Sequence, residues 1–261
     1  MPLATCWRVI PFTLFLTLMK YALVTGANKG IGLEVAKLLA QQGFYVYLGS
    51  RSLANGQAAA HHLQAAGLPH VQAVQLEVTN LDSIRAARAT IGAQTSVLDV
   101  LVNNAGISGG FPQSALNATL DQFRTVFETN VFGVASVTQA FLDLLRQSAQ
   151  PRIVNVSSAM ASLTLYSDLA NPSMWVCVYQ ASKAALNMYS LQLAHELRDT
   201  SFKVNAVCPG YTQTDFTGHQ GTSTVAQAGQ RILKYALLGP VGPTGTFVSE
   251  EYFPAPATCP W

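Results

Sequence analysis

The residues KYALVTGANKGIG, at positions 20–32, decide the fold of this chain. An apolar run rich in strand-forming residues ends at Thr25, and a glycine turn follows it. Apolar residues then recur at helical spacing from Leu33 until Gly43, and a second apolar strand occupies positions 45–49. This order of strand, glycine turn, helix and strand is typical of units that bind a dinucleotide, with a plain structural turn as the alternative.

The glycines of this turn are spaced Gly-x-x-x-Gly-x-Gly, which differs from the commoner dinucleotide fingerprint. Glycines allow the backbone to approach a pyrophosphate, which rests at the positive N-terminus of the following helix. The turn therefore predicts a set of cofactor-binding residues: Gly26, Asn28, Lys29, Gly30, Ile31 and Gly32.

The end of the second strand indicates which cofactor is bound. An acidic residue about 20 positions after the glycines would hold the ribose 2′-hydroxyl of NAD, but the sequence there is GSRS, at positions 49–52. The guanidinium of Arg51 suits a 2′-phosphate, and Lys29 could supply a second positive charge. These residues favour NADP(H) over NAD(H), unless both are ordinary surface charges.

Tyr179 and Lys183 are four residues apart in the run YQASK, so on a helix they share one face. We expect the lysine charge to lower the tyrosine pKa from about 10 toward working pH. Such a tyrosine can give a proton to a carbonyl oxygen or take one from an alcohol. The alternative is a solvated helix face.

Taken together, these motifs resemble the short-chain dehydrogenase/reductase family, and most of all its NADPH-dependent carbonyl reductases. The resemblance covers residue 20 to the C-terminus, in the order and at about the spacing of that family. The segments that carry it are residues 25–32, 103–106, Asn130, 156–158, 179–183 and 205–211.

The resemblance implies roles for individual residues. The catalytic set would be Asn130, Ser158, Tyr179 and Lys183, with Ser158 preferred to Ser157 because the second serine of this doublet usually holds the substrate oxygen. Asn130 would hold a water in a proton relay to the lysine. The cofactor would contact Tyr179 and Lys183 and, in addition, Glu77, Val78, Asn103, Ala105, Gly106, Pro209, Gly210, Thr212 and Thr214. Glu77 departs from the family, which commonly has aspartate there to meet the adenine amino group.

Composition excludes several other functions. Apolar residues make up 49% and charged residues 11% of the 261 residues, against an average of about 25% charged. The net charge of +2 does not favour nucleic-acid binding. The cysteines Cys6, Cys177, Cys208 and Cys259 are scattered, and the histidines lack metal-ligand spacing, so no metal site is predicted. A reducing compartment, the cytoplasm, is expected.

Strands and helices alternate along the chain, which predicts an α/β fold: a doubly wound, mostly parallel Rossmann sheet flanked by helices in a single domain. That domain is expected over residues 19–261. We expect residues 163–178 to form a loop beside the substrate mouth, and residues 218–238 to hold a lid that leads into a helix.

Residues 1–18 are interpreted as an extension of the domain. Their apolar run is too short to span a bilayer, which needs about 20 residues. The run faintly resembles a signal peptide, but it continues directly into the first strand. Removal of a signal peptide by cleavage near Lys20 would therefore damage the nucleotide site. We prefer a poorly placed extension with Met19 as a natural start; a membrane-facing anchor is the alternative.

The sequence thus predicts an NADPH-dependent oxidoreductase that reduces an aldehyde, ketone or quinone to an alcohol. The alternatives are a 3-oxoacyl or hydroxysteroid reductase of the same fold, or a non-catalytic NADP(H)-sensing module. The expected partner is a small-molecule carbonyl or alcohol, and the chain is expected to be a monomer or a homo-oligomer. The loops that decide the substrate, at 107–117, 163–178 and 218–230, carry no pattern that names it.

Overall fold

A computed structural model describes residues 19–110, 112–167 and 176–261. Within them, seven parallel strands form one sheet in the order β3-β2-β1-β4-β5-β6-β7. The strands are β1 (Lys20–Val24), β2 (Phe44–Ser50), β3 (Val71–Gln75), β4 (Val100–Asn103), β5 (Arg152–Val156), β6 (Lys203–Val207) and β7 (Thr246–Val248). The predicted doubly wound Rossmann sheet is confirmed.

Helices cover both faces of this sheet. They are α1 (Gly30–Gln41), α2 (Leu53–Ala65), α3 (Leu81–Gly92), α4 (Leu120–Phe127), α5 (Gly133–Leu145), α6 (Leu163–Tyr166), α7 (Cys177–Glu196) and α8 (Val225–Ala236). One apolar cluster joins α1, α2 and α8 to the sheet, and a second joins α3, α5 and α7 to the opposite face. Because both faces are covered, all five residues of β5 are buried.

Helices α4 and α5 are joined by a short connection that is itself helical. A π-helical turn, Glu128–Phe132, joins the two helices without a break. Asn130 lies in the middle of this turn and is fully buried. Single π-helical turns inside α-helices often occur at functional sites.

The prediction of a lid over residues 218–238 is wrong for most of that span. Helix α8 occupies its second half and buries Ala228, Ile232 and Leu233. These side chains share one helix face and belong to the core cluster or pack beside it, so α8 belongs to the body of the domain. The segment that reaches the crevice is instead the short 3₁₀ helix Asp215–Thr217.

The predicted loop at 163–178 also contains regular structure, because its first residues form α6 and its last two begin α7. Its middle, with Asp168, Asn171, Pro172 and Trp175, lies outside the described residues, as does the extension at 1–18. In the part of the chain that the structure describes, no helix is both long and apolar enough to cross a membrane.

A chain of buried polar side chains crosses the middle of the sheet. The Asn103 amide nitrogen donates to Thr138 Oγ1 at 3.0 Å and to Asn155 Oδ1 at 2.8 Å. Asn155 in turn donates to Ser190 Oγ at 2.8 Å. These bonds tie the ends of β4 and β5 to α5 and α7, so they hold in place the strands that lead into the crevice.

We expect Asn155→Ala to lower the free energy of unfolding by about 1–3 kcal/mol, because it removes the acceptor and donor that link Asn103 to Ser190 in a buried site. Urea denaturation of both proteins measures the change. Asn117→Ala, at an exposed position, is the matched control and should change stability by no more than about 0.5 kcal/mol. Equal losses in the two variants would show that the buried chain contributes nothing specific.

Candidate active site

A crevice lies at the carboxyl edge of the sheet, where the strand order changes direction. Strand β1 lies between β2 and β4, so the connections after β1 and β4 leave toward opposite sides. Ligands of open α/β sheets bind at such a switch point. The glycine turn follows β1, Asn103 ends β4, Ser158 follows β5 and Pro209 follows β6, so the fold collects four of the predicted segments at this edge.

The glycine turn fits closely against the end of β4. Gly26 has a φ of 62°, and a Cβ added there would lie 3.0 Å from the Cα of Ala105. A Cβ on Gly32 would collide with the side chain of Asn104 and lie 2.6 Å from the carbonyl oxygen of Gly26. Both positions therefore require glycine for close approach of the backbone.

Asn104, which the sequence reasoning did not select, is the residue that fastens this turn. Its amide nitrogen donates to the carbonyl oxygens of Thr25 and Gly26 at 2.9 and 3.1 Å. The Thr25 hydroxyl accepts from the backbone nitrogens of Asn104 and Ala105, both at 3.0 Å. By contrast, the side chain of Asn103 is buried in the interior polar chain, so only its backbone can face a cofactor. Ala105 and Gly106 continue past it as half-buried residues.

Helix α1 begins at Gly30 and directs its N-terminus into the crevice. Asn28, Gly30 and Ile31 are half-buried around this start. Within the described residues, the first turn of α1 contains no acidic side chain. Its backbone N–H groups and the positive end of the helix dipole are suited to a phosphate group.

The two cations predicted for a 2′-phosphate are each paired with a carboxylate. Lys29 Nζ lies 2.7 Å from Asp215 Oδ2, and Arg51 Nε lies 3.6 Å from Glu77 Oε2. The Lys29 and Arg51 side chains are 66% and 82% exposed, so both pairs are accessible to an anionic ligand. Glu77, predicted to meet adenine, thus lies beside Arg51, and Val78 next to it is buried.

Tyr179 and Ser158 meet at the other side of the crevice. The Ser158 hydroxyl interacts with the Tyr179 phenol and acts to lower its pKa. It also accepts from the backbone nitrogen of Met160 at 3.2 Å. The Ser157 hydroxyl points elsewhere, because it is buried and donates to Asn187 Oδ1 at 2.6 Å. The structure therefore brings Ser158 rather than Ser157 to the tyrosine.

Lys183 lies one helical turn after Tyr179, as predicted, and is buried. Its ammonium is 5.8 Å from the centre of the Tyr179 ring and donates to the carbonyl oxygen of Val156 at 2.8 Å. Burial lowers the pKa of Lys183 to about 8. The carbonyl at the end of β5 thus holds the lysine beside the tyrosine.

The expected lowering of the tyrosine pKa is wrong for this structure. Burial raises the pKa of Tyr179, the neighbouring Cys208 thiol adds to that effect, and the hydrogen bond with Ser158 opposes it. Removal of the phenol from water disfavours the charged phenolate, and this is the largest of the three effects. Tyr179 is therefore protonated at neutral pH.

Both the oxygen and the nitrogen of the Asn130 side-chain amide are hydrogen-bonded. Its Oδ1 accepts from the Ile107 nitrogen at 2.9 Å, and its Nδ2 donates to the Ile107 oxygen at 2.9 Å and to Ser182 Oγ at 3.0 Å. Ser182 precedes Lys183 on α7, so Asn130 links that helix to the segment after β4. A Cβ on Gly106 would lie 3.2 Å from Asn130 Oδ1 and 3.6 Å from Lys183 Nζ.

Gln113, another residue that sequence reasoning missed, supports the start of α7. Its backbone oxygen accepts from the Cys177 nitrogen at 2.9 Å, and its Oε1 accepts from the Tyr179 nitrogen at 3.2 Å. The first N–H groups of a helix lack partners within the helix, and Val176 supplies no side-chain cap. Gln113 is fully buried and satisfies two of these groups.

Two half-buried charged side chains hold the turn at Pro209 and Gly210 in place through hydrogen bonds to its backbone. Arg231 Nη1 donates to the Pro209 oxygen at 2.6 Å, and Glu251 Oε2 accepts from the Tyr211 nitrogen at 2.6 Å. Gly210 has a φ of 88°, and a Cβ there would collide with both side chains. No spacing in the sequence indicates this support, since it joins residues 40 positions apart.

The segment after this turn folds over the crevice. Thr212 is buried and donates to the Gly210 oxygen at 3.0 Å. Thr214 precedes the 3₁₀ helix Asp215–Thr217 and accepts on its carbonyl oxygen from Thr217 Oγ1 at 3.1 Å. Phe216 contacts Tyr179, with ring centres 5.6 Å apart.

Among the described residues, no group of three His, Cys, Asp or Glu side chains is placed to hold a metal ion.

Comparisons with known proteins show a similarity that covers most of the chain. A family model described as short chain dehydrogenase matches residues 20–224. The chain is 34% identical over 305 aligned positions to (-)-isopiperitenone reductase of Mentha piperita, covering 89% of this chain and 96% of that protein.

Solved structures show the same similarity. Salutaridine reductase from Papaver somniferum superposes with a TM-score of 0.78 at 28% identity, over 87% of this chain and 99% of that one. An NADPH-bound carbonyl reductase from chicken fatty liver superposes with a TM-score of 0.79 at 29% identity, over 93% of this chain and 99% of that one.

We expect the stability cost of burying Lys183 to disappear as pH rises. Its pKa falls from 10.5 to about 8 on folding, so between these values the unfolded chain binds more protons than the folded protein. The free energy of unfolding therefore rises with pH across this window because of this group. Below about pH 8 the cost is present in full.

Urea denaturation of the wild type and Lys183→Met at pH 7 and pH 9.5 measures this effect. The variant lacks the titrating group, and all other ionisations are common to both proteins. The wild type should gain stability relative to the variant at the higher pH. A difference that stays constant between the two pH values would show that Lys183 titrates normally.

Proposed function

The chain belongs to the short-chain dehydrogenase/reductase family, and we propose that it uses NADPH to reduce the carbonyl group of an aldehyde, ketone or quinone to an alcohol. Membership in this family makes it an oxidoreductase that acts on carbonyl or alcohol groups. The observation that carries the finer proposal is the contact of Ser158 with Tyr179 beside buried Lys183, next to the glycine turn.

The residues of the crevice fit a phosphorylated dinucleotide. The turn excludes a Cβ at Gly26 and Gly32, which leaves backbone surface for a pyrophosphate at the start of α1. Arg51 and Lys29 are the exposed cations that would hold a 2′-phosphate. Glu77 then positions Arg51. The backbone of Pro209, Gly210 and Thr212, with Thr214, would hold the nicotinamide carboxamide.

Each catalytic side chain has one task. NADPH, when bound, supplies the hydride that reaches the carbonyl carbon. Tyr179 holds a proton on its hydroxyl at neutral pH and gives it to the carbonyl oxygen. Ser158 donates a hydrogen bond to that oxygen, and the bond strengthens as negative charge develops. The ammonium of Lys183 favours the phenolate left behind, and Asn130 keeps α7 in register with the segment after β4.

The balance of the reaction follows from these roles. The carbonyl carbon would accept the hydride that NADPH supplies and its oxygen would accept a proton from Tyr179, so the products would be an alcohol and NADP⁺. A proton from solvent must then restore Tyr179, and we assign its route to Lys183 and a water held near Asn130. A non-catalytic sensing module would not need Ser158 and Tyr179 to meet. Among the described residues of the site, no feature favours a 3-oxoacyl or hydroxysteroid substrate over other carbonyls.

The cytoplasm is the proposed compartment. Cys177, Cys208 and Cys259, the cysteines within the described residues, are free thiols. Free thiols persist in reducing compartments, whereas secreted proteins tend to pair them.

We expect Tyr179→Phe to lower the rate of NADPH-dependent carbonyl reduction by about 10²–10⁴-fold, because it removes the general acid. NADPH affinity, followed by nicotinamide fluorescence, should remain nearly unchanged. Tyr45→Phe is the matched control, since its hydroxyl donates to Gln72 away from the crevice at 2.8 Å. The substrates should be a set of aldehydes, ketones and quinones. Full activity of Tyr179→Phe would refute the assignment.

We expect Arg51→Ala to weaken NADPH binding by about tenfold or more and to leave NADH binding nearly unchanged, because a charge-assisted bond to the 2′-phosphate is lost. Titration of the two cofactors into wild type and variant measures this. Arg85→Ala, which removes another exposed arginine that is paired with a carboxylate, Asp82, is the control. Equal weakening of both cofactors would assign Arg51 to a different part of the ligand.

A further inference from the structure

One short segment touches both halves of the site. The 3₁₀ helix Asp215–Thr217 contacts the glycine turn through Asp215 and contacts Tyr179 through Phe216. From this arrangement, and resting on the proposed function, we propose that Phe216 selects carbonyl substrates that carry a flat apolar ring, and that the Lys29–Asp215 ion pair sets its position.

Phe216 has the geometry of a substrate contact. Its ring lies 5.6 Å from that of Tyr179, inclined at 56°, and its side chain remains 47% exposed. The Tyr179 hydroxyl interacts with Ser158, whereas Phe216 contacts the ring of the tyrosine. A flat apolar group attached to the carbonyl would cover the exposed part of Phe216, since aromatic rings associate in tilted or offset pairs.

The segment that carries Phe216 is braced from within. Thr217 Oγ1 donates to the carbonyl oxygens of Thr212 and Thr214 at 2.6 and 3.1 Å. Gly218 follows in the left-handed region with a φ of 62° and ends the turn. Phe216 is therefore presented from a structured turn, and movement of that turn as a unit moves the ring.

Asp215 connects this turn to the cofactor side. Its carboxylate accepts from Lys29 Nζ at 2.7 Å and lies 3.0 Å from His219 Nε2. A Cβ on Gly30 would lie 3.7 Å from Thr214 Cγ2, so the glycine turn and the segment are in contact. The ion pair joins residues 186 positions apart.

Lys29 would have two competing partners, the carboxylate of Asp215 and a phosphate of the cofactor. The proposed function requires Lys29 to serve a phosphate of the cofactor, and the structure pairs it with Asp215. The Asp215 carboxylate also repels a phosphate held nearby. Removal of this carboxylate should therefore tighten NADPH binding and, at the same time, free Phe216 from its fixed position. Coupling between two sites of this kind acts in both directions.

Substrate selectivity tests the role of Phe216. With NADPH saturating, kcat/KM is measured for acetophenone and for butanone in the wild type, Phe216→Ala and Phe216→Leu. The ratio of acetophenone to butanone should fall about tenfold or more in Phe216→Ala and less in Phe216→Leu. Val241→Ala, at a 97% exposed position, should leave the ratio unchanged. A ratio in Phe216→Ala equal to that of the wild type would overturn the assignment.

Cofactor binding tests the role of the ion pair without any reference to activity. Nicotinamide fluorescence gives the Kd of NADPH for the wild type, Asp215→Asn and the control Asp82→Asn, which breaks a more exposed ion pair with Arg85. Asp215→Asn should bind NADPH about threefold to tenfold more tightly and show a lower acetophenone to butanone ratio. Unchanged or weaker binding would overturn the coupling. These outcomes are separate from failure of the proposed function, which would appear as full activity of Tyr179→Phe.

Discussion

The all-parallel sheet is the constraint on which the rest of this molecule depends. Because every strand runs in the same direction, the carboxyl ends of β1, β4, β5 and β6 share one edge. Each crossover helix returns the chain to the opposite edge before the next strand begins. Segments distant in sequence, such as the glycine turn and the turn at Pro209, are therefore neighbours. The hydrogen bonds from Asn104 to the carbonyl oxygens of Thr25 and Gly26 fix the position of the glycine turn against the end of β4.

Burial decides the electrostatics at this edge. Partial or full burial raises the pKa of Tyr179 and lowers that of Lys183, so each group is shifted toward its neutral form. A protonated tyrosine beside a lysine that gives up its proton readily is an arrangement suited to carbonyl reduction. The Val156 carbonyl, at the end of β5, offsets part of the cost of keeping the lysine there. The sheet thus supplies the position of the reacting groups and also part of their chemistry.

Local patterns predict the strands and helices and the shared helix face of Tyr179 and Lys183, whereas they cannot predict long-range contacts. The strand, glycine turn and helix at 20–41 depend on neighbours in sequence, as does the spacing of Tyr179 and Lys183. Gln113 and the pair formed by Arg231 and Glu251 have partners in other segments, so no local spacing marks them. The prediction of a lowered Tyr179 pKa is wrong for a related reason, because the burial that raises this pKa is a property of the whole fold. The prediction of a lid at residues 218–238 is wrong for most of that span because the apolar face of α8 packs against the core.

The π-helical turn at Glu128–Phe132 contains one residue more than an α-helix would need over the same rise. Removal of one residue there would give a more regular helix, but each residue of an α-helix advances by about 100°. The side chains before the deletion would then rotate by that angle relative to α5, and Asn130 would leave Ile107 and Ser182. Sequence redesign that makes this helix more ideal would therefore separate α7 from the segment after β4. Local irregularity is retained here because it keeps two distant parts of the backbone in phase.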